Sequence, residues 1–413
     1  PPTNAYRRSG RPEVTFAIER LVETAAHELG FDPIELRRKN LVSSDQMPYP
    51  NAVGMTYDSG EYAKSMDMVM ELSDWDGFAA RKSEAEARGL LLGRGFANYV
   101  ESSIGTPREQ AEIHVKADGG IDLVIGTQPS GQGHETSFAQ VAAEWLGVPV
   151  ETVTVIVGDT DVVKVGGGSH SGRSMRMAGT VIVKAADELI EKGKRLAAFI
   201  LEAAESDIEF ADAAFAIKGT DREIGLFELA KAVTDRTDIP EALAGGLSVI
   251  EDNIMETPVF PNGCHVCEIE IDPDSGAFDV VRYTTIDDVG RAINPLIVDG
   301  QTHGGIVQGA GEALGELCAI DEHGQPLAGS FMDYHMPRAD EYPSFVTALN
   351  EVPSPTNPLG VKAGGEGGTT PALAVLVNGF VDALRPYGGR DIRMPVTPRK
   401  IWELIHAGKS GEA

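Results

Sequence analysis

Hydrophobic and polar positions follow a helical period first and a strand period later, and the changes of period mark the elements. Ile18, Leu21, Val22, Ala25 and Leu29 recur on one helical face, with Gly30 as a stop signal. The first fifteen residues, rich in Pro and Arg, read as a loop. Asp32-Pro33 fits an N-cap and first helical position, predicting a second helix through about Lys39. Residues 40–60 read as loop, and two further helical segments run to about Arg88 with a break and cap at Ser73-Asp74. From about Leu91 the period shortens to two. Ala111, Ile113 and Val115 alternate before Asp118-Gly119-Gly120, and Ile121, Leu123 and Ile125 after it, which predicts a hairpin over 110–126. A helix (137–146), a strand (151–158) and a long helix (174–204) follow. Strands at 207–217 and 247–256 flank a short helix from Leu226 to Val233. Strands over 265–272 and 279–287 are joined by the turn Asp272 to Gly276, and the tail predicts a strand (344–351) and helices (369–384, 398–406). No strict βαβ rhythm is present, so the fold class is α+β with mixed strands and helices, and a domain boundary falls near residue 90.

Composition narrows the partners. The chain has 413 residues, a hydrophobic content of 42% and a net charge of −28. That charge argues against nucleic acid and against anionic membrane surfaces. No run is long and apolar enough for a membrane helix. The chain opens at Pro1 without Met, which reads as part of something longer. There are 3 cysteines. Cys264 and Cys267 form a CxxC, but strand alternation puts them on opposite faces, so they are expected to pack rather than to bind metal. No ligand set for an iron–sulfur cluster is present.

Candidate chemistry lies in glycine-marked segments at apparent helix starts. Gly364-Gly365-Glu366-Gly367-Gly368 presents one carboxylate among bare glycines just before the helical run from Thr369. Gly126 to His134, Gly166 to Ser174, and Asn294-Pro295 through Gly305 have the same setting. Backbone N–H groups at helix starts form anion sites, and several of them together suggest a large anionic ligand gripped from different sides. Taken singly, each has a simpler reading as a flexible turn, and Glu366 as a solvated side chain.

In their order along the chain, these motifs resemble the molybdopterin-binding large subunit, C-terminal half, of the xanthine dehydrogenase/aldehyde oxidase family of molybdenum hydroxylases. Ala5 to Glu13 is similar to the family's active-site loop, Gly131 to Thr136 to its pterin-binding turn, and Gly158-Asp159-Thr160-Asp161 and Gly168 to Ser174 to its next signatures. Asp287 to Gly290, Gln301, Gln308-Gly309 and Gly360 to Gly367 complete the match. The resemblance implies that residues 1–90 end a first molybdopterin-binding domain and residues 91–413 form a second. It implies molybdenum held by a pterin dithiolene, in the cytosine dinucleotide form, with no direct protein ligand. Glu366 would be the general base toward a water-derived oxygen, and Arg7 would approach the reacting centre. Gly131, Gln132, Gly133, His134, Ser169, His170, Ser171, Gly172, Arg173, Ser174 and Gln301 would bind the cofactor. For His134 and His170, local capping or packing is an alternative; Lys362 either pairs with a carboxylate or is exposed.

The resemblance implies hydroxylation of an N-heteroaromatic ring or an aldehyde, with electrons passing to an iron–sulfur subunit and an FAD-bearing flavin subunit. It also implies a partner carrying the family's N-terminal half, and a bacterial, cytoplasmic setting. Arg8 stands where copper-dependent carbon monoxide dehydrogenases carry a cysteine, and Ser9 where xanthine-specific enzymes carry a phenylalanine. Arg8 and Ser9 are thus candidate substrate-pocket residues, and Arg8 suits an anionic substrate group. A non-catalytic structural or cofactor-storage subunit is the alternative. The presence of Glu366, Arg7 and Gln132 together favours the enzyme.

Overall fold

The structure, a computed structural model, describes Arg7 and residues 9–407. Helices α1 (Arg11–Leu29) and α2 (Pro33–Lys39) lead to a short ladder, β1 (Tyr49–Pro50) with β2 (Thr56–Tyr57), then α3 (Tyr62–Leu72) and α4 (Phe78–Ala87). Strands β3 (Leu91–Val100), β4 (Arg108–Val115) and β5 (Ile121–Ile125) precede α5 (His134–Leu146), β6 (Val153–Ile156) and α6 (Ser174–Leu201). A small meander of β7 (Ile208–Ala211), β8 (Ala214–Ile217) and β9 (Glu223–Gly225) runs into α7 (Leu226–Thr234) and β10 (Ser248–Ile254). The long hairpin β11 (Asn262–Ile271) and β12 (Phe278–Asp288) is followed by α8 (Pro295–Leu314), β13 (Val346–Leu349), α9 (Thr369–Leu384) and α10 (Pro398–Ala407).

Two sheets organise these elements. One runs β10-β4-β5-β6, with β5 and β6 parallel and the other pairs antiparallel. Its inward residues Ala111, Ile113, Val115, Ile121, Leu123 and Ile125 pack against α5, α6 and α7. The other runs β13-β12-β11-β3, with β12 and β13 parallel. One of its faces is covered by α8, α9 and α10, the other by α2 and α3. Cys267 lies in the first of these two layers and Cys264 in the second, as alternation along β11 requires. Sγ of Cys264 donates to Ser65 O and that of Cys267 to Val375 O. Helix α9 is buried nearly all round because it sits between β3, β11, α8 and α1.

Three readings of the sequence need correction. The segment 207–217 is a hairpin, β7 to β8, with Asp212 and Ala213 in the left-handed region at its tip. The first helix starts at Arg11, inside the stretch read as loop, with Pro12 in its first turn. It is also turned over. Leu21 is 68% exposed, Leu29 69% and Ile18 55%, while Glu19, Arg20 and Glu23 are buried. The cause lies in β3, an edge strand whose outer backbone groups need partners. Glu19 Oε1 accepts from Asn98 N (3.1 Å), Asp382 Oδ2 from Arg94 N (3.0 Å), and Asn378 Nδ2 donates to Phe96 O (3.0 Å). Arg20 in turn donates to Asn378 Oδ1 (2.7 Å) and Arg390 O (2.9 Å). The polar stripe of α1 thus serves the edge of the sheet.

Arg37 of α2 neutralises that stripe. It donates to Glu19 Oε2 (2.7 Å) and Glu23 Oε2 (3.0 Å), with all three side chains buried. Removing one partner of a buried pair leaves an uncompensated charge, at a cost of about 3–5 kcal/mol. We therefore expect Arg37→Ala to lower the stability of the 413-residue chain by about that amount. Leu21→Gln on the exposed face should change it by no more than about 0.5 kcal/mol. Denaturant midpoints of the two variants check the pair. The reverse order would mean that the apolar stripe, not the charged one, faces the sheet.

Candidate active site

Three of the glycine-marked segments lie in strand-to-helix connections, β5 to α5, β6 to α6 and β13 to α9; the fourth, read as a helix start over 294–305, lies inside α8 from Pro295 onward, just after the connection from β12. Because β5 pairs parallel to β6 and β12 to β13, the connections leave each sheet side by side at the carboxyl ends of the strands. That is where open sheets with parallel strands bind ligands. The two pairs then meet. A Cβ on Gly172 would lie 2.7 Å from Ala363 Cβ, and one on Gly133 would lie 3.0 Å from Ile297 Cδ1. Ser103 Oγ donates to Gly172 O (2.9 Å), and Asn294, the N-cap of α8, donates through Nδ2 to Gln140 Oε1 on α5 (3.0 Å). The starts of α5, α6, α8 and α9 therefore surround one region.

Glu366 is half-buried on the connection into α9, and its carbonyl accepts from Thr369 N (3.2 Å). Arg7 is half-buried beside it, donating from Nε to Gly365 O (3.0 Å) and from Nη2 to Gln301 O (2.8 Å). The Gln301 side chain faces Gly365, whose added Cβ would lie 3.8 Å from Gln301 Oε1. Behind the loop, Tyr99 Oη donates to Asp287 Oδ1 (2.7 Å), which also faces His265 Nε2 (3.3 Å). A Cβ on Gly367 would lie 2.6 Å from Tyr99 Oη, so the loop passes this hydroxyl closely only because Gly367 has no side chain. The same segment is anchored by Lys362, fully buried, which donates to Asp288 Oδ2 (2.6 Å) and Ser59 O (3.2 Å). Of the two readings for Lys362, the paired one is correct.

Across the region, Gln132 Nε2 donates to Ser169 Oγ (3.3 Å), and the Ser169 and Ser174 hydroxyls lie 2.7 Å apart. Gln132 Oε1 also accepts from Ser130 N. Ser171 holds a left-handed backbone (φ 50°) that only Gly, Asn and Asp adopt readily, followed by Gly172 at φ 66°. The backbone N–H groups of Gly131, Gln132 and Gly133, of Ser169 to Gly172, and of Gly367 and Gly368 find no acceptor among the described residues. Runs of donors at helix starts, flanked by hydroxyls and carboxamides, suit an extended anionic group with many acceptors. The residues present thus fit a phosphate-bearing pterin cofactor.

Two assignments change on the structure. Arg173, expected to bind the cofactor, has a fully buried guanidinium paired with Glu109. Its backbone is engaged as well, the N–H donating to His170 O (3.0 Å) and the carbonyl accepting from Met177 N (2.8 Å). His134 is buried, with its ring stacked on Phe138 at 4.9 Å, the packed arrangement given as its alternative. His170 is exposed, and its Nε2 lies 3.2 Å from Gly167 O. Ser9 is exposed in the turn before α1. Arg8 lies outside the described residues.

Sequence reading missed Glu109, Thr127, Ser103 and Tyr99. Glu109 alone left a signal: it shares a strand face with Ala111, Ile113 and Val115, where alternation demands an apolar residue. A carboxylate in such a row must be buried and therefore paired.

These features define the class, an α+β protein whose strand-to-helix turns line one region beside the Glu366 carboxylate. The chain belongs to the molybdopterin-binding large subunits of the xanthine dehydrogenase/aldehyde oxidase family of molybdenum hydroxylases. A molybdopterin cofactor-binding domain model matches residues 68–343, and a second model of the same description matches residues 1–41. The 6-hydroxypseudooxynicotine dehydrogenase complex subunit gamma of Paenarthrobacter nicotinovorans is 36% identical over 412 residues, covering 97% of this chain and 51% of that protein. The carbon monoxide dehydrogenase large chain of Afipia carboxidovorans is 33% identical, covering 97% and 52%. Quinoline 2-oxidoreductase from Pseudomonas putida superposes with a TM-score of 0.90 at 32% identity, covering 98% of this chain and 53% of that one. The chain thus spans about half the length of the curated relatives it matches. No helix among the described residues is long and apolar enough to cross a membrane.

Burial pushes the His134 imidazolium down to about 4, from an ordinary value near 6.5. Below about pH 6.5 the unfolded chain takes up a proton that the folded one refuses, so stability falls as pH drops from 6.5 to 4. The loss is about 3 kcal/mol at most. His134→Gln should flatten the fall in melting temperature over that window; an unchanged slope would mean that the ring is accessible and protonates in the folded protein.

Proposed function

We propose that this chain supplies the cofactor cradle and the general base of a molybdenum hydroxylase. Its substrate is an N-heteroaromatic ring or an aldehyde, and the oxygen comes from water. The observation that carries this reading is the placement of Glu366, on a glycine loop beside Arg7 and Gln301, where four helix starts surround one region. When bound, a molybdopterin cofactor in its cytosine dinucleotide form supplies the two-electron oxidant. The chain's own residues do the rest. The donor runs at Gly131 to Gly133 and Ser169 to Gly172, with Gln132 and the Ser169 and Ser174 hydroxyls, hold the pterin and its phosphates. Gln301, on α8, orients the pterin, and Ser171 lies on the loop that carries Ser169. Arg7 ties the Gly365 carbonyl to that of Gln301, which fixes the Glu366 loop against α8 and places a positive charge near the reacting oxygen. Glu366 accepts the proton from the attacking oxygen as it bonds to the electron-poor carbon.

Relatives whose names carry nitrogen heterocycles, nicotine 6-hydroxylase and quinoline 2-oxidoreductase among them, support the heteroaromatic substrate over the aldehyde. We assign Arg8 and Ser9 to the substrate pocket. The electrons leave through iron–sulfur and FAD-bearing partner subunits, and the remainder of the large subunit, in the same chain or a separate one, completes the site. We divide the chain near residue 90, where helices give way to strands.

Glu366→Gln keeps size and hydrogen bonding and removes only the base. In the assembled enzyme it should lower kcat by about 10²- to 10⁴-fold while molybdenum content stays at the wild-type level. Turnover within a few-fold of wild type would remove Glu366 from the mechanism.

A further inference from the structure

Arg173 and Glu109 form an ion pair beneath two of the glycine turns. Both side chains are fully buried, with Glu109 on β4 and Arg173 at the start of α6. The guanidinium donates from Nε to Thr106 O (2.9 Å) and from Nη2 to Arg108 O (3.0 Å). From Nη1 it reaches Glu109 Oε2 (2.8 Å), Gly168 O (2.6 Å) and Thr127 Oγ1 (3.3 Å). Glu109 Oε2 in turn accepts from Thr127 Oγ1 (2.6 Å) and Gly167 N (3.3 Å). One ion pair thus bonds to the turn after β5 and to the loop before α6. The two backbones touch at the same point. A Cβ on Gly126 would lie 2.1 Å from Gly166 Cα, and one on Gly167 would lie 2.6 Å from Arg173 Cζ.

A buried ion pair is a weak source of stability, because desolvation offsets its attraction. Here Glu109 Oε1 is also buried with no partner among the described residues, which adds to the cost. What the pair does provide is geometry. A planar guanidinium with several fixed donors sets the positions of the carbonyls around it. The loops it joins are rich in glycine, and the other side-chain bonds to them, such as Gln132 to Ser169 and Ser103 to Gly172, lie in their outer parts, while the ion pair holds their crossing at Gly126 and Gly166.

We propose that Arg173 and Glu109 are positioning residues that lock the Gly126 to Gly133 turn and the Gly166 to Ser174 loop into one cradle, so that neither loop takes its cofactor-binding shape without the other. The purpose assigned to the cradle rests on the cofactor reading above; the locking does not. Hydrogen exchange by mass spectrometry separates the two. The assembled full-length protein is prepared from a normal host and from one unable to make molybdopterin. In the cofactor-free protein, Arg173→Lys keeps the charge and loses the fork. The bonded amides within both 128–133 (Gln128 and Ser130) and 167–172 (Gly167) should then exchange roughly tenfold faster, with β4, β5 and most of α6 unchanged. Thr127→Val should produce a smaller effect in the same two segments and serves if Arg173→Lys does not assemble. In protein from the normal host, molybdenum and releasable cytidine monophosphate should fall together in Arg173→Lys. Unchanged exchange, faster exchange in 167–172 alone, or a uniform increase across the chain would each overturn the locking. A wild-type assembly without molybdenum or cytidine monophosphate would overturn the cofactor reading while leaving the exchange result to decide the locking.

Discussion

Two short parallel pairings, β5 with β6 and β12 with β13, are the constraint on which the site depends. Parallel strands leave a sheet in the same direction, so their connections emerge side by side. Every one of these connections leads into a helix, which sets four helix starts around one region. An antiparallel arrangement of the same strands would send half of the turns to the opposite end. The turns could then still bind small anions singly, but not one extended ligand together. The strands are only a few residues long, so the geometry relies on the larger antiparallel frames beside them, β10-β4-β5 and β12-β11-β3.

Glycine turns bring their own difficulty. They let the backbone approach a ligand or a neighbouring chain, but they lose much entropy on ordering and have no side chains to hold them. The protein meets this with charges buried beneath the turns. Lys362 and Asp288 anchor the segment that carries Glu366, and Asp288 further accepts from Gly290 N and Val352 N. Burial pushes the Asp288 carboxyl above its usual range, and Lys362 beside it works in the opposite direction. Arg173 and Glu109 stand in the same relation to the turns on the other sheet. In both cases a long cationic side chain reaches backbone carbonyls as well as a carboxylate, and so ties distant segments together.

Much of this was legible in the sequence, for identifiable reasons. Helix α9 has the bounds its pattern predicts, because a long apolar run between a glycine cluster and a polar turn has no competing reading. Alternation along β11 correctly separates Cys264 from Cys267, since strand faces follow from parity alone. The segments around Gln132, Ser169 and Glu366 stand out by glycine and by position before helices, whereas Gln301 lies inside α8, and the structure brings all four together. Parallel pairing was not legible, because periodicity says nothing of a strand's neighbours. Nor was the inversion of α1, whose charged stripe is buried by the needs of an edge strand 79 residues away in sequence. Arg173 read as a ligand-binding side chain because it sits among ligand-binding residues; its partner, Glu109, lies 64 residues earlier.

The central claim is that these turns hold one cofactor against Glu366. Anomalous diffraction at the molybdenum edge, on crystals of the assembled protein from its native host, tests it most directly. One peak per copy of the chain is expected, in the region bounded by Glu366, Arg7 and the Ser169 to Ser174 loop. A peak elsewhere, or none in crystals that diffract well and contain the whole assembly, would contradict it.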